Sequence, residues 1–130
     1  MFLSDENSII CFFRNYGVKN MDIMTGRTIA VFSVRKDECG FWKIDSAHFL
    51  IGSIRRSYLI IDSSLKIKNK ISEDTINPKH YDTCIIHDVT YNGKNLEAEI
   101  TEYSNDTLLQ SIKDGSELPE RIKRTISLEH

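Results

Sequence analysis

Histidine, cysteine and aspartate side chains crowd into residues 80–88, HYDTCIIHD. In a helix, His80, Cys84 and His87 would stand at i, i+4 and i+7, within one narrow stripe at about 100° per residue. Imidazole and thiolate groups at that spacing can share a zinc or copper ion. In a strand, His80 and Cys84 would face one way and His87 the other, so no shared site would form. The chemistry of this segment therefore depends on its secondary structure.

The dipeptide Asn92-Gly93, a few residues further on, favours the strand. Both residues tolerate the positive φ of a type I′ turn, so they predict a hairpin with a two-residue loop. That register gives the hairpin a single buried face, made of Ile85, His87, Val89, Leu96, Ala98 and Ile100. We therefore predict a hydrogen-bonded His87 in a strand, no metal site at His80, Cys84 and His87, and no catalytic set.

The same register brings acidic side chains together on the outer face of the hairpin. It pairs Asp88 with Glu97 and Ile86 with Glu99, and like charges on neighbouring strands do not stabilise a sheet. Two explanations compete: solubility with protection against aggregation, or an electrostatic surface for a basic partner. The candidate partner-binding residues are the acids of the hairpin and its open end, Asp82, Asp88, Glu97, Glu99 and Glu102.

The remaining pattern predicts an α+β fold with a mainly antiparallel β-sheet of about five to six strands. An N-terminal helix packs on this sheet, because Ser4 is a suitable N-cap and the apolar residues that follow have helical spacing, Ile9, Phe12, Phe13 and Tyr16. Residues 28–34 predict a strand, and residues 57–71 predict a hairpin that turns near 63–64. Its second arm carries Lys66, Lys68 and Lys70, as a protected edge strand does.

One or two short helices are expected at the C-terminal end. The first is capped within Ser104-Asn105-Asp106, stopped by Gly115, and turns Leu108, Leu109 and Ile112 inward. The second opens at Pro119 and carries Ile122 and Ile126.

Composition places the chain among ordinary globular proteins. It has 130 residues, 40% of them hydrophobic, which predicts one domain over 1–127, with 128–130 as the remnant of an expression tag. There is no apolar run of about 20 residues and no signal-peptide pattern, so a cytoplasmic protein is expected. Three widely spaced cysteines predict free thiols rather than a disulfide framework.

Charge is unevenly spread along the chain. Residues 1–70 hold 11 basic and 7 acidic side chains, a net +4, whereas residues 71–130 hold 6 and 12, a net −6. Because no catalytic motif is present, we expect a protein-binding module rather than an enzyme. Size and charge match the class of bacterial immunity proteins, antitoxins that inhibit a basic, nuclease-type toxin by occluding its surface.

Two alternatives stay open at this point. One is a small-ligand-binding or structural module, and the other is a small hydrolase or nuclease that uses His80 and His87. A role for His48 is equally open. No cofactor, nucleic acid or membrane is expected as a partner, and the sequence leaves the oligomeric state undetermined.

Overall fold

The computed structural model describes residues 2–3, 8–13, 17–33, 40–54 and 56–128. In these ranges the chain is mostly β, with three antiparallel sheets and two short helices. It divides into two compact units, Met1–Ser72 and Glu73–His130. The predicted α+β fold with one sheet under an N-terminal helix is therefore wrong. No helix of the described residues is long and apolar enough to cross a membrane.

The first unit contains two four-stranded sheets, each a meander in which chain neighbours pair. The first sheet has the order β1-β2-β3-β4, with bounds Phe2–Leu3, Ser8–Phe13, Gly17–Asp22 and Thr28–Ser33. The second has the order β5-β6-β7-β8, with bounds Gly40–Lys43, His48–Ile54, Ser57–Asp62 and Ile67–Ser72. The predicted hairpin over 57–71 is confirmed, and its lysine-bearing arm β8 ends its sheet as expected.

Strand β2 occupies the described part of the segment where the sequence predicted the N-terminal helix. Ile10 is fully buried and Phe12 packs on the same core, whereas Phe13 is 43% exposed. This two-residue alternation is that of a strand, and the β-branched and aromatic content of the segment supports it. The helical spacing was a coincidence of a short apolar run. Ser4 and Tyr16 lie outside the described residues.

The core of the first unit contains residues from both of its sheets. Ile10 and Val18 come from the first sheet, and Phe49, Ile51, Ile61 and Leu65 from the second sheet and its last turn. Aromatic rings reinforce this core: Phe41 stacks on Phe12 at 5.1 Å and on Phe49 at 5.3 Å between centroids. Such stacks add about 1 kcal/mol beyond the buried area. The two sheets of this unit therefore form a packed β-sandwich.

The second unit contains one three-stranded sheet with the order β11-β10-β9. Its elements are α1 Glu73–Ile76, β9 Thr83–Tyr91, β10 Asn95–Tyr103, α2 Asn105–Asp114 and β11 Ile122–Ser127. The helix predicted after Pro119 is wrong, because Ile122 and Ile126 pair across β10 as alternate residues of a strand. The predicted domain limits stay a prediction, although Leu128 is buried and donates its N–H to the Lys94 carbonyl.

Helix α2 confirms the predicted caps but not the predicted inner face. The Ser104 hydroxyl accepts the N–H of Thr107, and Gly115 ends the helix at φ 74°. Leu109 and Ile112, however, are 62% and 73% exposed. The cap residues act locally and are readable from sequence, whereas the direction of an apolar face depends on packing.

Candidate protein-binding surface

The hairpin β9–β10 is confirmed, but its loop is shifted from the predicted position. Tyr91 pairs with Leu96 rather than with Lys94. The Asn92 side chain accepts the N–H groups of Lys94 and Asn95 at 3.0 and 2.8 Å, so Asn92 closes the strand instead of occupying the centre of the turn. Only Gly93 in this loop has a positive φ, 91°, which is the pattern of a type II′ turn.

A β-bulge at His87 then changes which side chains of β9 face inward. Asp88 pairs with Glu99, but the next pair along β10 joins Ile100 to Ile86, so His87 has no partner across the ladder. Since one extra residue reverses the alternation, Ile86 becomes buried and Ile85 is left 42% exposed. The predicted burial of Ile85 is wrong. The buried face consists of Ile86, Val89, Leu96, Ala98 and Ile100.

The imidazole of His87 is half-buried on the bulge. Its Nε2 lies 2.7 Å from the hydroxyl of Thr101. The predicted hydrogen-bonded role is confirmed, but the predicted place opposite Ala98 is wrong, because Val89 occupies it. The bulge aims this ring at a neighbouring strand, as bulges commonly redirect one side chain.

Three carboxylates define what we call the acidic face, formed by Asp88, Glu97 and Glu99 on the solvent side of the three-stranded sheet. Asp88 lies directly opposite Glu99, not Glu97 as predicted, because of the shifted loop. Glu97 instead pairs with Thr90 on one side and Thr125 on the other. All three acids line a shallow depression of about 250 Å³, together with Thr90 and Lys123.

Basic side chains of β11 and the residue before it limit the acidic face on one side. Glu99 pairs with Lys123 across the ladder and lies 3.8 Å from an Arg121 nitrogen. These side chains are exposed, so the ion pair with Arg121 contributes less than about 1 kcal/mol. Among the described residues, none forms an ion pair with Glu97 or Asp88. Negative potential is therefore concentrated over β9 and the middle of β10.

Glu102 and Asp82, the other two predicted partner-binding acids, do not lie on this face. The Glu102 carboxylate is only 11% exposed and binds Arg124 through two contacts of 2.8 and 3.0 Å. Arg124 also donates to the Ile76 carbonyl at 2.6 Å. The Glu102 hydrogen bond raises the pKa of the Arg124 guanidinium. Asp82 accepts the N–H of Asn105 at 2.7 Å, beside the start of α2.

Arg124 is the residue of this region that sequence reasoning missed. Its segment was predicted as a helix, and in that helix Arg124 would have had no defined position relative to Glu102. With β11 recognised as a strand, Arg124 pairs with Ala98, on the same face of the sheet as Glu102. The signal that could have found it is the alternation of Ile122, Arg124 and Ile126.

The residues that suggested metal or catalytic chemistry are dispersed. His80 precedes β9, at φ 53°, and its ring lies 3.4 Å from the Asp74 carboxylate with both groups largely exposed. Cys84 is half-buried, and this burial, reinforced by Glu102, raises the pKa of its thiol. Across the part of the chain that the structure describes, no three His, Cys, Asp or Glu side chains are arranged to hold a metal ion.

His48, in the first unit, forms a separate pair with Asp45, whose carboxylate is 2.9 Å from the imidazole Nδ1. Burial alone raises the pKa of Asp45. The hydrogen bonds from the Ala47 N–H and the His48 ring lower this pKa by more than burial raises it, so the net shift is downward. Of the cysteines, Cys11 and Cys84 are free thiols, and Cys39 lies outside the described residues. The three histidines that the structure describes, His48, His80 and His87, therefore have local partners and do not converge on one site.

Comparison with known proteins gives no relative from which a role could be transferred. No protein-family model, curated protein or solved structure matches the chain at a significant level. The surface geometry described above is therefore the basis on which a function is argued.

Proposed function

We propose that this protein is a binding module of the immunity or inhibitor type, which recognises a basic protein through the acidic face. The observation that carries the proposal is the direct opposition of Asp88 and Glu99 on neighbouring strands, with Glu97 beside them. The other side of β9 and β10 carries the buried residues Ile86, Val89, Leu96, Ala98 and Ile100, so the three carboxylates point outward. Such a surface is pre-organised for a cationic partner.

Energetics support a role in binding. Like charges directly opposite on a sheet destabilise it by some tenths of a kcal/mol. A basic surface laid over Asp88, Glu97 and Glu99 relieves that repulsion and gains attraction from each carboxylate. The same field steers a cationic protein toward the face before contact, which raises the association rate by about tenfold or more at low salt.

The mode of action that fits this surface is occlusion. A nuclease that binds nucleic-acid phosphates needs a basic cleft. A rigid array of carboxylates competes for that cleft without any chemistry of its own. In this proposal the protein acts in the cytoplasm, a reducing compartment in which the thiols of Cys11 and Cys84 stay unpaired.

The test titrates the protein against purified basic nuclease toxin domains, with cytochrome c as the reference for unspecific charge attraction. Association rates are measured by stopped-flow between 50 and 500 mM NaCl. We expect the triple variant Asp88→Lys, Glu97→Lys, Glu99→Lys to associate about 100-fold more slowly with its target at 50 mM salt, and the difference to shrink as salt is added.

The control is Glu117→Lys, which reverses one charge where the triple variant reverses three, at an exposed residue outside the acidic face. It should slow association no more than about twofold. If the triple variant inhibits the nuclease as well as the unmodified protein does, or if Glu117→Lys weakens binding to the same extent, the acidic face is not the binding surface.

A further inference from the structure

The first sheet has an outward side that is as apolar as many interfaces. Ile10, Phe12, Val18, Ala30 and Phe32 turn toward the core of the first unit. The alternate residues therefore point away from it, and the register aligns them in rows: Ile9 with Met21, and Cys11 with Lys19 and Val31. A strand buried on one side normally carries polar residues on the other. The outward side of these strands is instead mainly apolar, apart from residues such as Lys19.

We call this side and the adjoining β3–β4 turn the outer apolar face. Its large exposed side chains are Phe13 at 43%, Ile23 at 44%, Met24 at 84%, Ile29 at 59% and Val31 at 46%. With about 200 Å² for a fully exposed large apolar side chain, they present roughly 550 Å² to solvent, at the upper end for the largest patch of a typical monomer. A depression of about 360 Å³ lies in it, lined by Ile9, Cys11, Phe13, Met21, Asp22, Ile23 and Gly26.

The face carries few charges, and they include both signs. Strands β2 and β4 carry no charged residue, β3 carries Lys19 and Asp22, and the turn adds Arg27. In two copies related by a two-fold axis, each Lys19 can face an Asp22 of the second copy. A strongly acidic or basic partner finds no such match here.

The edge of the sheet is consistent with a second copy of the chain. β4 is the last strand of its sheet, and Thr28–Ser33 contains neither a charge nor a proline. At the corresponding edge of the second sheet, β8 carries Lys68 and Lys70, the usual protection against association. Within Thr28–Ser33 no charged side chain repels a second copy from β4.

From the apolar area, the paired charges and the unprotected edge, we propose that the outer apolar face is a self-association surface that pairs two copies of this chain. Two such faces together bury roughly 1,100 Å², just above the 1,000 Å² or so that a specific interface needs. The contact is isologous, so every substitution within it is felt twice. This inference concerns the first unit and does not depend on the function proposed for the acidic face.

Sedimentation velocity from 1 to 200 µM tests the proposal with the full chain. The unmodified protein should pass from monomer to dimer across this range. Ile29→Lys and Val31→Lys, two independent variants, should each raise the dimer dissociation constant at least tenfold, because a lysine is introduced into the contact from both copies. Circular dichroism confirms that each variant is folded.

The matched control is Ile67→Lys on β8, where the side chain is 56% exposed and lies outside the outer apolar face. It should leave the dissociation constant unchanged. A protein that is monomeric at 200 µM, a dimer that survives both face variants, or equal loss in the Ile67→Lys control overturns the proposal.

The charges give a second, independent readout. Lys19→Asp and Asp22→Lys should each weaken the dimer, and the double exchange should restore it at least in part, since the opposite charges are again paired. If the double exchange is weaker than both single changes, the proposed pairing is wrong. A monomer that instead binds the apolar dye ANS in the depression of this face would show a small-ligand site in place of a dimer contact.

Discussion

The ion pair between Glu102 and Arg124 makes the sharpest prediction about the second unit. The sequence suggested Glu102 as a partner-binding residue, but the structure places its carboxylate 11% exposed against a guanidinium that is 19% exposed. Glu102→Gln keeps the size of the side chain and removes its charge. An arginine stays charged at any accessible pH, so the Arg124 guanidinium would then be largely buried without its counter-ion.

The expected cost follows from the burial of the pair. Removing one partner of a fully buried ion pair costs about 3–5 kcal/mol. Because both side chains keep some exposure, we expect about 2 kcal/mol for Glu102→Gln. Arg124→Met should cost about 3 kcal/mol, because it also removes the hydrogen-bond donor to the Ile76 carbonyl. Ile76 is only 1% exposed, so water cannot replace that donor. The double variant should cost less than the sum by about 1.5 kcal/mol.

Hydrogen exchange followed by mass spectrometry measures the loss of stability in the second unit, where Glu102 and Arg124 lie. Peptides that cover β10 should lose protection about 30-fold in Glu102→Gln, the equivalent of 2 kcal/mol. Fluorescence of Trp42, the single tryptophan of the chain, reports on the first unit and serves as an internal reference.

Glu99→Gln is the matched control on the same strand. Its carboxylate is 39% exposed and its ion pair with Arg121 is long, 3.8 Å, so the cost should stay below about 0.5 kcal/mol. The reasoning is refuted if Glu102→Gln costs no more than Glu99→Gln, or if the double variant is simply additive. Folded Glu102→Gln should also keep its association rate with a basic partner, whereas variants of the acidic face lose it.

Two further predictions concern a turn and a helix end. The Asp62 carboxylate accepts two backbone N–H groups of the β7–β8 turn and lies 3.5 Å from the Lys68 ammonium. Burial alone raises its pKa, but these contacts lower it overall, so the stability it contributes is present above about pH 4 and is lost as pH falls through the depressed value. Asp62→Asn should therefore flatten the acid-side decline in urea stability monitored by Trp42, and an unchanged pH profile would contradict this. Gly115→Ala should destabilise α2 by about 1 kcal/mol, because alanine is strained at the φ of 74°. A steric clash does not contribute, since no atom lies within 4 Å of the added Cβ. Hydrogen exchange of the α2 amides measures the effect, and amides that exchange no faster than in the unmodified protein would disprove it.

Much of the local structure was predictable because it depends on residues close in sequence. Ser104 and Gly115 set the ends of α2 through contacts within one helical turn. Asn92 and Gly93 produce the predicted hairpin, although its loop is shifted by one residue to Gly93-Lys94. The acidic composition of the hairpin is likewise a property of the sequence, and the outward position of Asp88, Glu97 and Glu99 follows from period-two alternation.

The N-terminal segment shows where local pattern fails. Its apolar residues fit a helix and a strand equally over so short a run, and the pairing of β2 with β1 and β3 decides for the strand. The same competition turned the last predicted helix into β11, where pairing with β10 aligns Ile126 with Leu96. Ladder hydrogen bonds come from residues far apart in sequence, and no local spacing reveals them.

The sequence by itself determined the hairpin, its acidic outer side, the ends of α2 and a strand rather than a helix at Thr83–Tyr91. Only the tertiary structure decided the register: a shift of the loop to Gly93-Lys94 changed which carboxylates oppose each other, and one extra residue at His87 changed which of Ile85 and Ile86 is buried. It also decided that Glu102 is a buried partner of Arg124 rather than a surface charge. The physical reason is that a strand buries and exposes alternate residues. A single unpaired residue therefore reverses which of the following side chains face the core, and the position of that unpaired residue depends on the pairing of the whole ladder.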